Sequence, residues 1–314
     1  MTAPRTLICG SLASDTIMVF PDRFSRHILP GETHVLSVSF QIGEMRREWG
    51  GCAGNIAYNL KALGGEPVVM ATIGGDDRAY PERLSSLGIA SDGVRAVEGT
   101  YTAQAFIITD LDDNQITAFH PGAMNHSHVN RISDVSGIAL GIVAPDGREG
   151  MRSHVRDFHA ARIPFMFDPG QGLPLFSGEE LVEMIDCAQY LAVNDYEGRL
   201  LSERTGLSLA EIAQRVDALI VTLGAEGSRI HVDGRTLDIA AVKPVVVMDP
   251  TGCGDAYRAG LLYGIAQGWD WERTGRLASL LGSVKIGSRG GQNHTIDRER
   301  LAKRYTDHFG GSLW

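Results

Sequence analysis

Asp255 is placed where a carboxylate can do chemistry. It lies in 249–260, DPTGCGDAYRAG, directly after Gly252, Cys253 and Gly254 and at the start of a helix-period stretch. A glycine-rich turn that opens a helix leaves backbone N–H groups unpaired at the positive end of the helix dipole, which makes an anion site. Gly252 and Gly254 allow close ligand approach and tolerate the dihedrals of such a turn. A carboxylate beside an anion hole repels phosphate, so Asp255 should face a group that gives up a proton. A substrate hydroxyl attacking a phosphoryl group fits: Asp255 acts as base, and the N–H groups of 252–254 stabilise the transferred oxygens. The plain alternative is a helix-capping Asp.

Such a site needs a frame. Apolar runs at 5–10, 67–75, 138–145, 163–170, 189–194, 218–224 and 245–248 read as strands, with helix-period segments at 54–64, 180–188, 196–205, 209–217, 254–267 and 273–287. Short apolar strands alternating with helices predict an α/β fold, a mainly parallel sheet covered on both faces, with ligands at the carboxyl ends of the strands. One region differs. Residues 34–42 alternate polar and apolar, and 102–110 with 114–122 read as a hairpin over the turn 110–114. These strands are too few for a core of their own, and are read as a lid, about 14–48 and 100–122. The alternative is extra edge strands of the main sheet.

The 314 residues, 43% hydrophobic, suit one α/β domain over 1–314. With 29 Lys+Arg against 38 Asp+Glu, the net charge of −9 argues against a nucleic-acid partner and for a small molecule. Cys9, Cys52, Cys187 and Cys253 are widely spaced, and Met1 starts no charged-then-apolar leader, as expected for a reduced cytoplasmic protein. No apolar run approaches the roughly 18 residues of a membrane span.

The stretch 249–260 resembles the C-terminal signature of the ribokinase-like (PfkB) kinases, D-x-T-G-A-G-D-x-F-x-A-G, with Cys253 for the usual Ala and Tyr257 for Phe. Residues 50–65, GGCAGNIAYNLKALGG, resemble the N-terminal signature, and the two stand in the family's order. VNDYEG (193–198) is similar to the N-x-x-E motif, which implies Asn194 near nucleotide phosphate and Glu197 organising Mg²⁺ through water. VTLGAEGS (221–228) resembles the nucleotide loop, implying phosphate contacts at Thr222, Gly224 and Gly227. IGSRGGQNH (286–294) resembles the segment beside the adenine of ATP, with Asn293 as its polar contact. Asp249, Thr251 and the carbonyls near Ser288 resemble a monovalent-cation site, which would take K⁺. The likeness runs from about Leu7 to about Asp297 and implies a three-layer α/β/α domain. No Gly precedes a Lys anywhere, so the Walker A pattern of P-loop kinases is absent.

The acceptor is read from the N-terminal third. Asp15 follows the first strand, where the family holds sugar hydroxyls with a carboxylate, and Gly51 and Asn55 would complete that clamp. A deoxy analogue would leave the Asp15 acceptors unpaired, at ~1–3 kcal/mol. Residues 21–41 and 119–128 resemble the bacterial and archaeal adenosine-kinase-like branch, whose substrates are nucleosides. Gln171 and Phe119 or Phe167 are the base-contact candidates, with core packing the plain reading of each ring. His120, His126 and His128 read as loop histidines, since no carboxylate or thiol stands at ligand spacing. Arg258 reads as a phosphate contact or a solvated helix residue.

The expected activity is ATP-dependent phosphorylation of the 5′-hydroxyl of a ribonucleoside of the adenosine, inosine, guanosine or cytidine class, with Mg²⁺. Pairing of two chains through the lid is an option. A ribose- or fructose-type sugar or sugar-phosphate kinase is the closest alternative, and a non-catalytic nucleotide- or sugar-binding regulator the next.

Overall fold

In the computed structural model, which describes residues 4–28, 38–112 and 114–314, the first strand β1 (Arg5–Cys9) sends Ile8 to one core and Leu7 and Cys9 to another. Apolar residues sent alternately to two cores, as at Leu7, Ile8 and Cys9, are what a strand buried on both faces requires. The chain continues through β2 (Ala13–Val19), β3 (Glu44–Gly50), α1 (Cys52–Ala62), β4 (Glu66–Gly74), α2 (Ala79–Ser86), β5 (Ala90–Val97), β6 (Ala103–Thr109) and β7 (Gln115–His120). Then follow β8 (Ile138–Val143), α3 (Arg148–Ala161), β9 (Phe165–Phe167), α4 (Gly178–Cys187), β10 (Tyr190–Asn194), α5 (Asp195–Thr205), α6 (Leu209–Ala213) and β11 (Ala218–Thr222). The last elements are β12 (Ser228–Val232), β13 (Arg235–Ile239), α7 (Cys253–Ala266), α8 (Trp271–Lys285) and α9 (Arg298–Phe309).

The main sheet has nine strands in the order β13-β12-β11-β10-β9-β8-β1-β4-β5. It is parallel from β11 to β5, and β12 and β13 add an antiparallel hairpin at one edge. Helices α1, α2, α7, α8 and α9 pack on the face reached by Ile8 and Val69. Helices α3 to α6 pack on the face reached by Leu7 and Val68. The result is the expected three-layer α/β/α arrangement.

The expected hairpin forms as β6–β7, with Gln104 opposite His120 and Thr109 opposite Gln115. With β2 and β3 it makes a separate four-stranded sheet, β3-β2-β6-β7, in which only β2 and β6 run parallel. These strands do not extend the main sheet.

Two expected strands are corrected. Residues 34–37 lie outside the described residues, and 38–42 form no strand. There Phe40 packs on Phe20 and Phe24, with ring centroids 4.8 and 5.1 Å away, so its apolar side chain serves a small aromatic cluster. The strand lies one segment later, in the polar run Glu44–Gly50, which hydrophobic alternation does not reveal. Residues 245–248 are likewise no strand. Val245 is 91% exposed and Met248 53%, and the segment is tied down where Met248 N–H donates to the Ile286 carbonyl at 2.9 Å. A short apolar run alone does not distinguish a buried strand from other structures. Strands β5 and β13 were invisible for the opposite reason: ASDGVRAV and RTLDI are too polar to read as apolar runs.

Candidate active site

Gly252 adopts φ 76° as the N-cap of α7, and a Cβ there would come within 3.1 Å of the Gly291 Cα. Glycine suits both the left-handed backbone and this close approach. The Cys253 N–H closes a turn onto the Pro250 carbonyl at 3.1 Å, whereas among the described residues the N–H groups of Gly252, Gly254 and Asp255 make no hydrogen bond. The donors open to an anion are therefore Gly252, Gly254 and Asp255, not Cys253. A Cβ at Gly254 would stand in open space, so no packing demands glycine there.

Asp255 is half-buried in the first turn of α7, its carboxylate Oδ2 accepting from Asn55 Nδ2 at 2.8 Å. Dense surroundings push its pKa up to about 7, with Asp168 adding repulsion and the Asn55 bond and Arg258 pulling the other way. A carboxyl that titrates near neutrality can take a hydroxyl proton. Asn55 itself is held in turn: Gln292 Nε2 donates to Asn55 Oδ1 at 3.2 Å and to Tyr80 Oη at 2.8 Å, and Tyr80 donates to the Gly50 carbonyl at 2.6 Å. With its oxygen engaged on one side, the Asn55 amide presents its NH₂ to Asp255.

Helix α1, which carries Asn55, starts at Gly51, where φ is 85°. A Cβ at Gly51 would stand 2.4 Å from the Ser11 carbonyl and 2.7 Å from the Ala13 nitrogen. Bare backbone thus lets the end of β3 touch the turn into β2. Asp15 sits in β2, paired in register with Glu48 of β3, and a Cβ on Gly50 would lie 2.8 Å from its Oδ2. Burial raises the Asp15 pKa to about 6, and the charges of Glu48 and Asp249 add to the rise. Asn293 Nδ2 donates to Glu48 Oε2 at 2.5 Å, so it faces the Asp15 end of the cleft. Phe119 stands 53% exposed on β7, and Gln171 is exposed in the 3₁₀ turn Gly170–Leu175. Phe167 is fully buried in the core, which decides its packing reading.

At the carboxyl ends of β10 and β11, Asn194 and Glu197 form a reciprocal cap. Asn194 Oδ1 accepts from the Glu197 N–H at 2.8 Å, and Glu197 Oε2 accepts from the Asn194 N–H at 2.7 Å. The Asn194 amide NH₂ makes no hydrogen bond among the described residues. Burial raises the Glu197 pKa, and nearby Asp168 reinforces it. Thr222 ends β11, and Gly224 and Gly227 follow with φ of 59° and 98°. A Cβ on Gly224 would meet nothing within 4 Å, whereas one on Gly227 would strike the Ile239 carbonyl. Gly224 leaves open space, and Gly227 is required by packing.

Arg258 is neither solvated nor free for a phosphate. It is 4% exposed and forks onto Asp168, Nε to Oδ2 at 3.1 Å and Nη2 to Oδ1 at 3.3 Å. A cation inside the apolar run of α7 points to this pairing instead, since a buried charge needs a partner. Asp168, Glu197 and Asp255 together outnumber Arg258, and this surplus of negative charge suits a divalent cation. Among the described residues no cluster of three or more His, Cys, Asp or Glu side chains is placed to hold a metal ion. Mg²⁺ typically relies on one or two carboxylates, water and substrate phosphates, so these residues fit it.

Asp249 opens the turn before α7. Its Oδ1 accepts from the Thr251 N–H at 2.9 Å and its Oδ2 from the Gly290 N–H at 2.8 Å. Burial alone would raise its pKa, but these donors and Lys285 outweigh it and lower it. Of the groups expected to face a monovalent cation, the Ser288 carbonyl is occupied from within the chain: Lys285 Nζ donates to it at 2.9 Å, and also to the Asp249 backbone carbonyl at 3.0 Å.

These residues span both signatures and both intermediate motifs, and residues 28–298 match the pfkB family of carbohydrate kinases. The chain belongs to this family. Among pfkB-family structures it is similar to the nucleoside kinase of Burkholderia thailandensis in complex with inosine, at 51% identity and a TM-score of 0.89, covering 98% of this chain and 99% of that one. It is also 31% identical over 274 residues to the Methanocaldococcus jannaschii nucleoside kinase, covering 87% of this chain and 90% of the relative. The ribokinase of Bacillus subtilis, 27% identical over 301 residues, covers 94% of this chain and 97% of its own. Two surface cavities of about 270 and 420 Å³ sit around Arg235 and Asp233 and include none of the candidate pfkB site residues.

Proposed function

We propose that this pfkB-family chain is an ATP-dependent kinase that phosphorylates the 5′-hydroxyl of ribonucleosides. One observation carries the reading: the carboxylate of Asp255, tuned to about 7 and aimed by Asn55, stands beside the open N–H groups of α7. Asp255 takes the proton of the acceptor hydroxyl as its oxygen attacks the γ-phosphoryl group. The Gly252, Gly254 and Asp255 N–H groups, at the positive end of α7, stabilise the oxygens of the group in transfer. Asp15 accepts from the ribose hydroxyls, with Gly51 giving room, and Asn55 both lines that pocket and holds Asp255. Phe119 and Gln171, exposed near the small sheet and beyond β9, are left to contact the base.

Asn194, Thr222 and Gly224 contact nucleotide phosphates and Gly227 shapes their loop, while Asn293, bonded to Glu48, lies at the Asp15 end of the cleft and is not assigned to the adenine. Glu197, with the acidic surplus around Asp168, would hold the waters of a Mg²⁺ ion, which would supply charge neutralisation at the phosphates. The small sheet acts as a lid that excludes water, and it offers a surface through which two chains would pair. A nucleoside acceptor is supported by the high identity and coverage of the Burkholderia relative, whose structure holds inosine. No described helix is long and apolar enough to cross a membrane, and we place the enzyme in the cytoplasm.

Phosphorylation of inosine, adenosine, guanosine, cytidine, ribose and fructose with ATP and Mg²⁺ tests the reading. A nucleoside should give the highest kcat/KM. Ribose or fructose ahead of every nucleoside would replace it with a sugar kinase, and no turnover of any acceptor would leave a binding protein.

A further inference from the structure

Lys285 is the last residue of α8 and is 0% exposed. A lysine without solvent contact is rare and needs acceptors. Its ammonium donates to two backbone carbonyls, Asp249 and Ser288, and its other surroundings are also negative. Burial lowers the Lys285 pKa, and the Asp249 carboxylate, with the C-terminal end of the α8 dipole, counters that loss. Carbonyl oxygens gathered around a dehydrated positive charge are also what a bound alkali cation takes.

The two carbonyls belong to segments that matter for catalysis. Asp249 begins the turn that ends at Asp255, and its carboxylate reaches on to Gly290. Ser288 begins the segment that carries Gln292, which orients Asn55. The lysine stem runs beneath the anion hole, with Cε 3.7 Å from where a Gly252 side chain would begin.

We infer that Lys285 is a positioning residue that acts as a built-in, non-dissociating cation, clamping the 249–255 turn to the 288–292 segment and making turnover independent of K⁺. A covalently tethered ammonium is present at any salt composition, whereas a bound ion must compete with solvent. The cation expected from the sequence is thus supplied by the chain.

The inference rests on the phosphotransfer reading, so two readouts are needed. Turnover with a nucleoside and ATP, and the rise in Tm on adding ATP, are compared in potassium and in tetramethylammonium buffers for the native protein, Lys285→Ala and Lys285→Met. Absence of turnover in the native protein would sink the kinase reading alone, because the Tm shift reports the clamp by itself. The native protein should differ less than twofold between buffers. Both variants should lose roughly tenfold or more in kcat in tetramethylammonium, in keeping with loss of charged hydrogen bonds, and the ATP-induced Tm rise should shrink. Potassium or ammonium should restore Lys285→Ala, which leaves space for an ion, and not Lys285→Met, which fills it. Three results would overturn the inference: severalfold activation of the native protein by K⁺, folded variants with native kcat and Tm shift, or a loss in Lys285→Ala that no cation restores.

Discussion

Asn55 Nδ2 donates to Asp255 Oδ2 at 2.8 Å, joining residues 200 positions apart in the chain. Helices α1 and α7 each begin at a glycine with positive φ, Gly51 and Gly252, and the two side chains meet where both helices start. The bond stabilises the ionised carboxylate, opposing the burial that raises its pKa.

Asp255→Ala should lower kcat ~10²–10⁴-fold, the usual loss for a general base. ATP binding by calorimetry and the Tm should persist, since the side chain anchors no core packing. A folded variant with native kcat would refute the mechanism.

The base must be ionised to work, so kcat/KM should rise with pH and level off above about 7. Asn55→Ala removes a donor to the carboxylate, which raises the Asp255 pKa further. Its acidic limb should therefore move to higher pH, and an unmoved limb would show that Asn55 does not tune the base.

Gly254→Ala and Gly51→Ala separate catalysis from folding. At Gly254 the added methyl meets open space, and alanine is the better helix former by ~1 kcal/mol. The Tm should hold or rise while kcat/KM for ATP falls as the methyl crowds the anion hole. At Gly51 positive φ and the Ser11 carbonyl oppose any side chain, and ~1–3 kcal/mol of strain or more should appear as a lower urea midpoint. Equal melting losses at both positions would contradict this division.

Arg258→Met should destabilise the fold by ~3–5 kcal/mol, because Asp168 is left charged and buried. Adding Asp168→Leu should recover part of that loss in chemical denaturation. Additive losses in the double variant would show that the two side chains act independently.

Asp146, 3% exposed, accepts from the Gly147 N–H at 2.8 Å, and burial pushes its pKa up to about 8. Its folded-state pKa lies above the unfolded value, so its contribution to stability is full below ~3.9 and declines as pH rises through about 8. Thermal melts at pH 5 and pH 8 should show a smaller drop for Asp146→Asn than for the native protein. Parallel drops would place the ionisation elsewhere.

The strands of the main sheet were legible where both faces are buried, as in β1, β4, β8 and β11, because burial on both sides demands continuous apolar sequence. Strand β3 was not, since EMRREWG lies in the small sheet with much of its surface exposed. At 245–248 the error ran the other way, because apolar type does not enforce burial. The glycine turns and Asp255 could be read along the chain, since each combines residue types that one local geometry requires.

Residue types and spacing by themselves determined an α/β chain with a phosphate-facing helix start and a carboxylate beside it, because backbone N–H groups and glycine freedom act within a few residues. Only the tertiary structure decided that Asn55 holds Asp255, that Arg258 belongs to Asp168, and that Lys285 fills a carbonyl site. Those contacts depend on which segments the sheet and helices bring together, and a buried charge takes the partner that folding places beside it.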